Sequence, residues 1–363
     1  MAYVKKTWVD RVVEYPSRYT DELSNVKTFT PNPGTITAEG DPVNAVNLNR
    51  MEQGIFDGGG KNARFVVGVS TAGWTAANCD YLCDGTADQV EINAAITALP
   101  ANGGEIVILD GTYNITAKIN VNKSNVSIRG NGNATILKRM YTSAVEEGVI
   151  TLTSVSYCRI SDLQIDGNRA TYNSTNNSGI YLSSSSNNTV TCITRNSHNS
   201  GINLSSSSNN NTIIGNECTG NNYGINLSSS SNNNVTGNNC NSNSNYGIDL
   251  SSSSNNTITG NNCNSNPSYG IGLYLSSYNT VTGNNCNSGY YGIILYSSSN
   301  NNVTGNTCVR GTGLPGNYSA TQYTIKLDGT SNNYNLISSN QCMGKAVMIE
   351  GGISNTEVNN KFA

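Results

Sequence analysis

The sequence predicts an all-β fold, a right-handed single-stranded parallel β-helix with about 22–23 residues per coil, and three observations predict it. A Gly-Ile step falls at Ile180, Ile202, Ile225, Ile248, Ile271 and Ile293. A second apolar mark moves in lockstep with it, at Val190, Ile213, Val235, Ile258, Val281 and Val303. Two marks at one period define a single supersecondary unit stacked on itself. Third, a cysteine follows the second mark by five residues at Cys218, Cys240, Cys263, Cys286 and Cys308, and follows Ile337 at Cys342.

Each unit holds two short alternating segments, Gly-Ile-x-Leu and Asn-x-Val-Thr-Gly-Asn-x-Cys. Alternate side chains of an extended strand point the same way. Ile225 and Leu227 therefore face an interior that Val235 and Cys240 complete, and no segment of the repeat has helical spacing. The Ser and Asn runs supply the turns, because Asn tolerates the left-handed conformation and bonds its own backbone. The six cysteines form an inward ladder with rungs ~4.8 Å apart. Packing explains them better than metal, since a closed apolar interior has no way in and no mixed ligands. Cys79 and Cys83 lack a partner pair at zinc-site spacing, so no metal and no cofactor are expected. One coil departs from the pattern: Arg195 stands five after Val190, which implies a slipped register rather than a charge in the core.

Upstream, Val90, Ala94, Ile96 and Leu99 share a helical face within residues 86–99, and Pro100 to Gly104 stops the helix. Such a helix caps the open end of the solenoid before strands begin at Ile106. Residues 61–77 read as linker, which leaves 78–363 to the β-helix. The first sixty residues form a separate segment, in which Asp41-Pro42 is a good helix start followed by Val43, Val46, Leu48, Met51 and Ile55. That segment is too small to fold alone.

Only 12% of residues are Asp, Glu, Lys or Arg, against about 25% in an average domain. The net charge of −3 makes no electrostatic case for nucleic acid or an anionic membrane. No apolar stretch approaches a membrane span. The N-terminal Met-Ala-Tyr-Val-Lys-Lys-Thr-Trp is not followed by an apolar region, so no secretory signal is expected. Synthesis in a reducing cytoplasm keeps the thiols free.

The stretches "CDGTADQVEINAAI" and "LPANGGEIVILDGTYNI", then "SNVSIRGNGNATILKR" and "ISDLQIDGNR", resemble the opening of pectate-lyase-like β-helix proteins of bacteriophage tails. The later coils are similar to repeats of many carbohydrate-related β-helix proteins. Near the N-terminus, "KKTWVDRVVEYPSRYT" and "PGTITAEGDPVNAVNLNRMEQGI" resemble a segment of tail-associated proteins from phages and prophages of Gram-positive bacteria. The resemblance implies a tailspike-like tail appendage, a homotrimer held to a phage tail or baseplate protein through residues 1–60. It further implies a bacterial surface polysaccharide as partner. The expected location is a virion or a phage-tail-like particle, assembled in the bacterial cytoplasm.

Chemistry is harder to place. A glycoside hydrolase usually needs two carboxylates, and from Ser178 to Thr307 only Glu217 and Asp249 are acidic. Asp249 follows Ile248 in an outward slot and Glu217 precedes Cys218 on another strand, so the two cannot meet within one subunit. Charge gathers instead at the first coils, where Asp162, Asp166, Arg169, Arg195 and His198 are the candidate catalytic residues. His198 is the single histidine, and "IDGN" around Asp166 also reads as a plain turn.

Two features suit binding. Long loops leave the same corner between Ile165 and Ile180 and between Cys308 and Ile325. Tyrosines also sit in register at 223, 246, 269 and 291, and again at 274 and 296. Tyr172, Tyr274, Tyr296 and Tyr318 are the candidate carbohydrate-binding residues. The balance favours receptor binding, with a polysaccharide depolymerase, hydrolase or lyase, at the first coils or between subunits as the alternative.

Overall fold

The computed structural model describes residues 18–20, 26–28, 63–287, 289–309, 323–343 and 347–362. The chain divides into two units at Lys61/Asn62. In the first, the strands Arg18–Thr20 and Val26–Thr28 pair antiparallel. The helix expected after Asp41-Pro42 lies outside the described residues.

The second unit is a parallel solenoid. Its Gly-Ile segments build a 10-stranded sheet, in which Ile225 pairs Ile248, Ile248 pairs Ile271 and Ile271 pairs Ile293. The Val/Ile marks build a 15-stranded sheet, with Val235, Ile258, Val281 and Val303 paired in turn. A third, 3-stranded sheet pairs Cys308 with Cys342. In the middle coils that third line shrinks to single bridges joining Asn239, Asn262 and Asn285.

The interior is narrow and apolar. Ile225, Leu227, Val235 and Cys240, with their equivalents along the axis, are fully buried. Each aliphatic side chain removed from water contributes roughly 1.5–3 kcal/mol. All ten cysteines are free thiols. Burial pushes those of Cys218, Cys240, Cys263 and Cys286 well above their ordinary range.

The Ser and Asn runs do more than turn. Asn187, Asn210, Asn232, Asn255 and Asn300 do take the left-handed conformation. Their neighbours Asn188, Asn211, Asn233, Asn256 and Asn301 instead turn inward and are buried. The Oδ1 of Asn233 accepts from the backbone N–H of Asn211 at 2.8 Å and from its Nδ2 at 3.1 Å. Asn233 in turn donates from its backbone to Asn256. A second asparagine ladder runs through Asn216, Asn238, Asn261, Asn284 and Asn306. A serine ladder joins Ser208, Ser230, Ser253 and Ser276. These side chains satisfy backbone N–H groups at corners where the coil leaves its sheet and would otherwise bury unpaired donors.

At the irregular coil the register slips by one residue. Val190 pairs Ile213, but Ile193 pairs Glu217 and Thr194 pairs Cys218. Thr194 thus takes the cysteine slot, fully buried, and Arg195 moves outward beside Thr219.

Two expectations about the opening are corrected. The helix spans Gln89–Ala98, but it buries Ile92, Ala95 and Ile96, with Leu99 just beyond, while Ala94 is exposed and Val90 is 57% exposed. Both faces have helical spacing; the one carrying both isoleucines offers more apolar area and wins. Residues 61–77 are not a linker throughout, because the strand Ala63–Val69 pairs both Gly104–Ile108 and Tyr81–Cys83. Its "ARFVVGV" is rich in β-branched and aromatic residues, and Val67 and Val69 are fully buried. The first strand therefore precedes the helix rather than following it.

Candidate functional site

Two regions of the solenoid carry the chemistry-bearing side chains. The first lies on the outer face of the 15-stranded sheet at the early coils. Asp166 ends the strand Arg159–Asp166 and braces the turn after it: its Oδ1 accepts from the backbone N–H of Asn168 at 3.0 Å and from Asn196 Nδ2 at 3.1 Å, and Asn168 is left-handed. Arg169 donates to the Gly220 carbonyl at 3.0 Å and to Ser244 Oγ at 2.8 Å. It pins the long loop against later coils of the same corner. Arg195 pairs with Glu217 across one rung at 2.7 Å. His198 is half-buried, and its Nδ1 has no hydrogen-bond partner.

Asp162 differs from these. It is exposed, left-handed, and sits on a bulge where the register shifts between Ser161 and Gln164. The bulge aims it into a cleft of about 310 Å³, lined also by Gly132, Thr191, Ile193, Gly215 and Glu217. The cleft has both Asp162 and Glu217 in its lining, a pairing that the regular coils do not reveal because Asp162 lies before them. They stand on strands two rungs apart, where Ile193 pairs Gln164 on one side and Glu217 on the other. Glu217 and Asp249 do lie in different sheets. Of the five candidate catalytic residues, Asp166 and Arg169 are occupied in holding the corner, Arg195 orients Glu217, Asp162 faces the cleft, and the half-buried His198 is not in its lining.

The second region is the outer face of the 10-stranded sheet. Tyr223, Tyr246, Tyr269, Tyr291 and Tyr323 stack in sequence, with ring centroids 5.1, 4.8, 5.3 and 6.4 Å apart. In the column that follows Leu, Tyr274 and Tyr296 lie 6.1 Å apart. Between these columns run Asn226, Asp249, Gly272, Ile294 and Lys326. Lys326 is paired with Asp328 and Glu350.

Asp249 occupies its outward slot but is only 9% exposed, because the tyrosines close over it. Burial pushes its carboxyl up to about 7. Among the carbohydrate-binding candidates, Tyr172 is half-buried in the first long loop and Tyr318 lies outside the described residues, as does most of the second loop. The corner beside Tyr274 carries two further departures from the repeat. Leu275 and Tyr278 are left-handed and 61% and 62% exposed, where adjacent coils have Ser252 or Ser297 and Asn255 or Asn300.

One group of side chains resembles a ligand set. Cys83, Asp88 and Glu91 bring one atom each within 4.8 Å of one another. Both Asp88 oxygens already accept backbone N–H groups, from Gly85 and Asn114. The Cys83 thiol is pushed up by burial, against the thiolate that a metal requires. No helix among the described residues is long and apolar enough to cross a membrane.

Residues 147–308 match the family model described as the right handed beta helix region. With the parallel sheets above, this defines the class: the protein is a right-handed parallel β-helix. No curated protein matches the chain. Solved structures do match, among them three at low identity. A Geobacillus virus E2 protein, ORF18, is 18% identical with a TM-score of 0.59 over 96% of this chain and 68% of that one. The A-module of mannuronan C-5 epimerase AlgE6 from Azotobacter vinelandii is 16% identical, with a TM-score of 0.56 over 77% of this chain and 96% of that one. The enzymatically active domain of tailspike protein 2 from bacteriophage CBA120 is 13% identical, with a TM-score of 0.55 over 78% of this chain and 44% of that one. At these identities the likeness is one of fold.

Proposed function

We propose that the protein is a tailspike-like appendage of a phage or phage-tail-like particle, and that its β-helix meets a bacterial surface glycan. In this reading it acts as a homotrimer, attached to a tail or baseplate protein through residues 1–60 and assembled in the bacterial cytoplasm. The observation that carries the glycan role is the column of five tyrosines on the 10-stranded sheet, with Tyr274 and the 46% exposed Tyr296 beside it. Rings with a polar tip suit sugar faces, and a stack of this length, roughly 19 Å at strand spacing, accommodates several sugar rings. The viral ORF18 and the phage tailspike share the fold, which supports the assignment to a tail.

The test is retention of the purified protein on surface polysaccharide from its bacterial host. Saturable retention that Tyr296→Ala reduces several-fold is the expected result; no retention on any host polysaccharide would sink the glycan role.

A second reading, a polysaccharide depolymerase, is favoured by one observation, the cleft shared by Asp162 and Glu217. Two carboxylates on the lining of one cleft are the kind of pair that glycoside hydrolysis uses. New reducing ends without unsaturated products, lost in both Asp162→Asn and Glu217→Gln, would establish it. Unsaturated products would point to a lyase, and no new ends at all leaves binding alone.

A further inference from the structure

Asp249 is an anomaly on its own face. It is nine-tenths buried, and its Oδ1 has no hydrogen-bond partner. No cation among the described residues pairs with it, the neighbouring Lys326 being held by Asp328 and Glu350. A buried carboxylate without a partner is costly, and a repeat that places Asn203 and Asn226 in the same column shows that a neutral residue fits there. Tyrosines also crowd the carboxylate. Tyr223, Tyr246 and Tyr274 are the titratable groups that face it, and each feels its charge.

The next residue up the column is Gly272. A Cβ there would lie 2.9 Å from the Tyr274 ring and 3.1 Å from Asp249 Oδ1, so this glycine keeps a space that both groups border. The Tyr274 ring now fills it. Tyr296, which pairs with Tyr274 one rung on, stands 46% exposed, so a tyrosine in that slot can stand clear of the face. A carboxylate beneath aromatic rings, opened by one side-chain rotation, has the chemistry to take a cation: charge pairing from below and cation–π attraction from the sides.

We propose that Asp249, Gly272 and the rings of Tyr246 and Tyr274 form a subsite for an ammonium group carried by the surface polymer. This rests on the glycan reading above and names the substituent that the face selects. The ammonium takes the place of the Tyr274 ring against Gly272 and pairs with Asp249. Binding requires the ionised carboxylate, so affinity falls as pH drops through the range in which Asp249 gains its proton.

The experiment uses the full chain with choline and ethanolamine as probes, followed by tyrosine resonances in NMR, and the neutral isostere 3,3-dimethylbutanol as control. Both probes keep their charge across the pH range used. Saturable shifts with a probe and none with the isostere are expected. Choline alone would mark a quaternary substituent, ethanolamine alone a primary amine, and either supports the subsite. Asp249→Asn should weaken binding at least tenfold, and Gly272→Ala, which fills the space by another route, should abolish it. Lowering the pH from about 8 to about 6 should cost the wild type roughly tenfold, in proportion to the ionised fraction. Equal binding of probe and isostere, or an unchanged Asp249→Asn, would overturn the proposal. Retention of host polysaccharide, measured in parallel, separates the two ideas. Retention without probe binding leaves the glycan reading standing and removes the subsite, whereas probe binding without retention does the reverse.

Discussion

Asp249 carries a pH signature that the free protein should display. Its folded pKa of about 7 lies above the usual carboxylate value because burial disfavours the charge. The folded state therefore binds the proton more tightly than the unfolded chain does. The associated stability is fully present below the unfolded pKa near 4 and is lost as pH rises toward 7. Chemical denaturation between about pH 4 and pH 8 should show a decline of order a few kcal/mol that Asp249→Asn removes. An unchanged slope in the variant would mean that the carboxyl is hydrated in solution.

Arg139 is the converse case, a fully buried cation whose Nη groups donate to Ser178 O at 2.7 Å and Asn177 Oδ1 at 3.2 Å. It also stacks on Tyr141 at 4.3 Å. Arg139→Met should destabilise by about 3 kcal/mol in a thermal melt, by leaving buried acceptors without donors. Neither residue announces itself in the sequence. Asp249 reads as an ordinary outward position, since its burial comes from tyrosines contributed by other coils. Arg139 takes the inward slot two after Leu137, but it ends its strand, where alternation does not separate a buried guanidinium from one turning out to solvent.

At the level of the element, the strands were the legible part. Ile225, Val235 and Cys240 lie where two-residue alternation puts them, because a solenoid repeats one local environment. Thr194 shows how the same reasoning reaches an irregular coil. A fixed five-residue step points to Arg195, and the cost of burying that charge is enough to indicate the slip that the strand pairing contains. The corners were less legible. A run of Ser and Asn reads uniformly as turn, yet Asn232 and Asn233 differ completely, one left-handed and solvated, the next buried in a ladder. Local sequence cannot separate them, because the ladder exists only when the next coil is in place.

Two predictions follow from this difference. Asn233→Ala should cost about 1–3 kcal/mol by stranding the Asn211 N–H, while Asn232→Ala affects the backbone conformation and no ladder. Tyr278→Asn, which restores the residue found in adjacent coils, should stabilise by about 1 kcal/mol, since a bulky residue is strained in that conformation. An unchanged melting temperature in the variant would mean that Tyr278 carries no strain there. The candidate cleft was half legible for a related reason. Asp162 stands out in the sequence as charge in an early coil, but its place in one cleft with Glu217 depends on a bulge that alternation does not show.

For the β-helix unit taken whole, stacking makes each coil answerable chiefly to its two neighbours. Removing residues 246–268, 23 residues and one period, should leave a folded solenoid with Tyr223 stacked on Tyr269. Removing half that length should abolish cooperative melting, because every ladder beyond the cut would lose register. Circular dichroism of the two deletions distinguishes a modular stack from a core that needs all its coils. The charged opening and the long-loop corner fall outside this modularity. Arg169 reaches residues 51 and 75 positions away and ties several coils into one block.

The buried thiols give this stack a built-in record of its own opening. Each lies in a different coil, from Cys218 to Cys342, and each is shielded from water. A thiol-reactive dye added to the native protein can modify a position only when its own coil parts from the stack. Mass spectrometry of partly labelled molecules would then read out, coil by coil, whether the rod frays from its C-terminal end, breaks at the slipped coil around Thr194, or lets go everywhere at once.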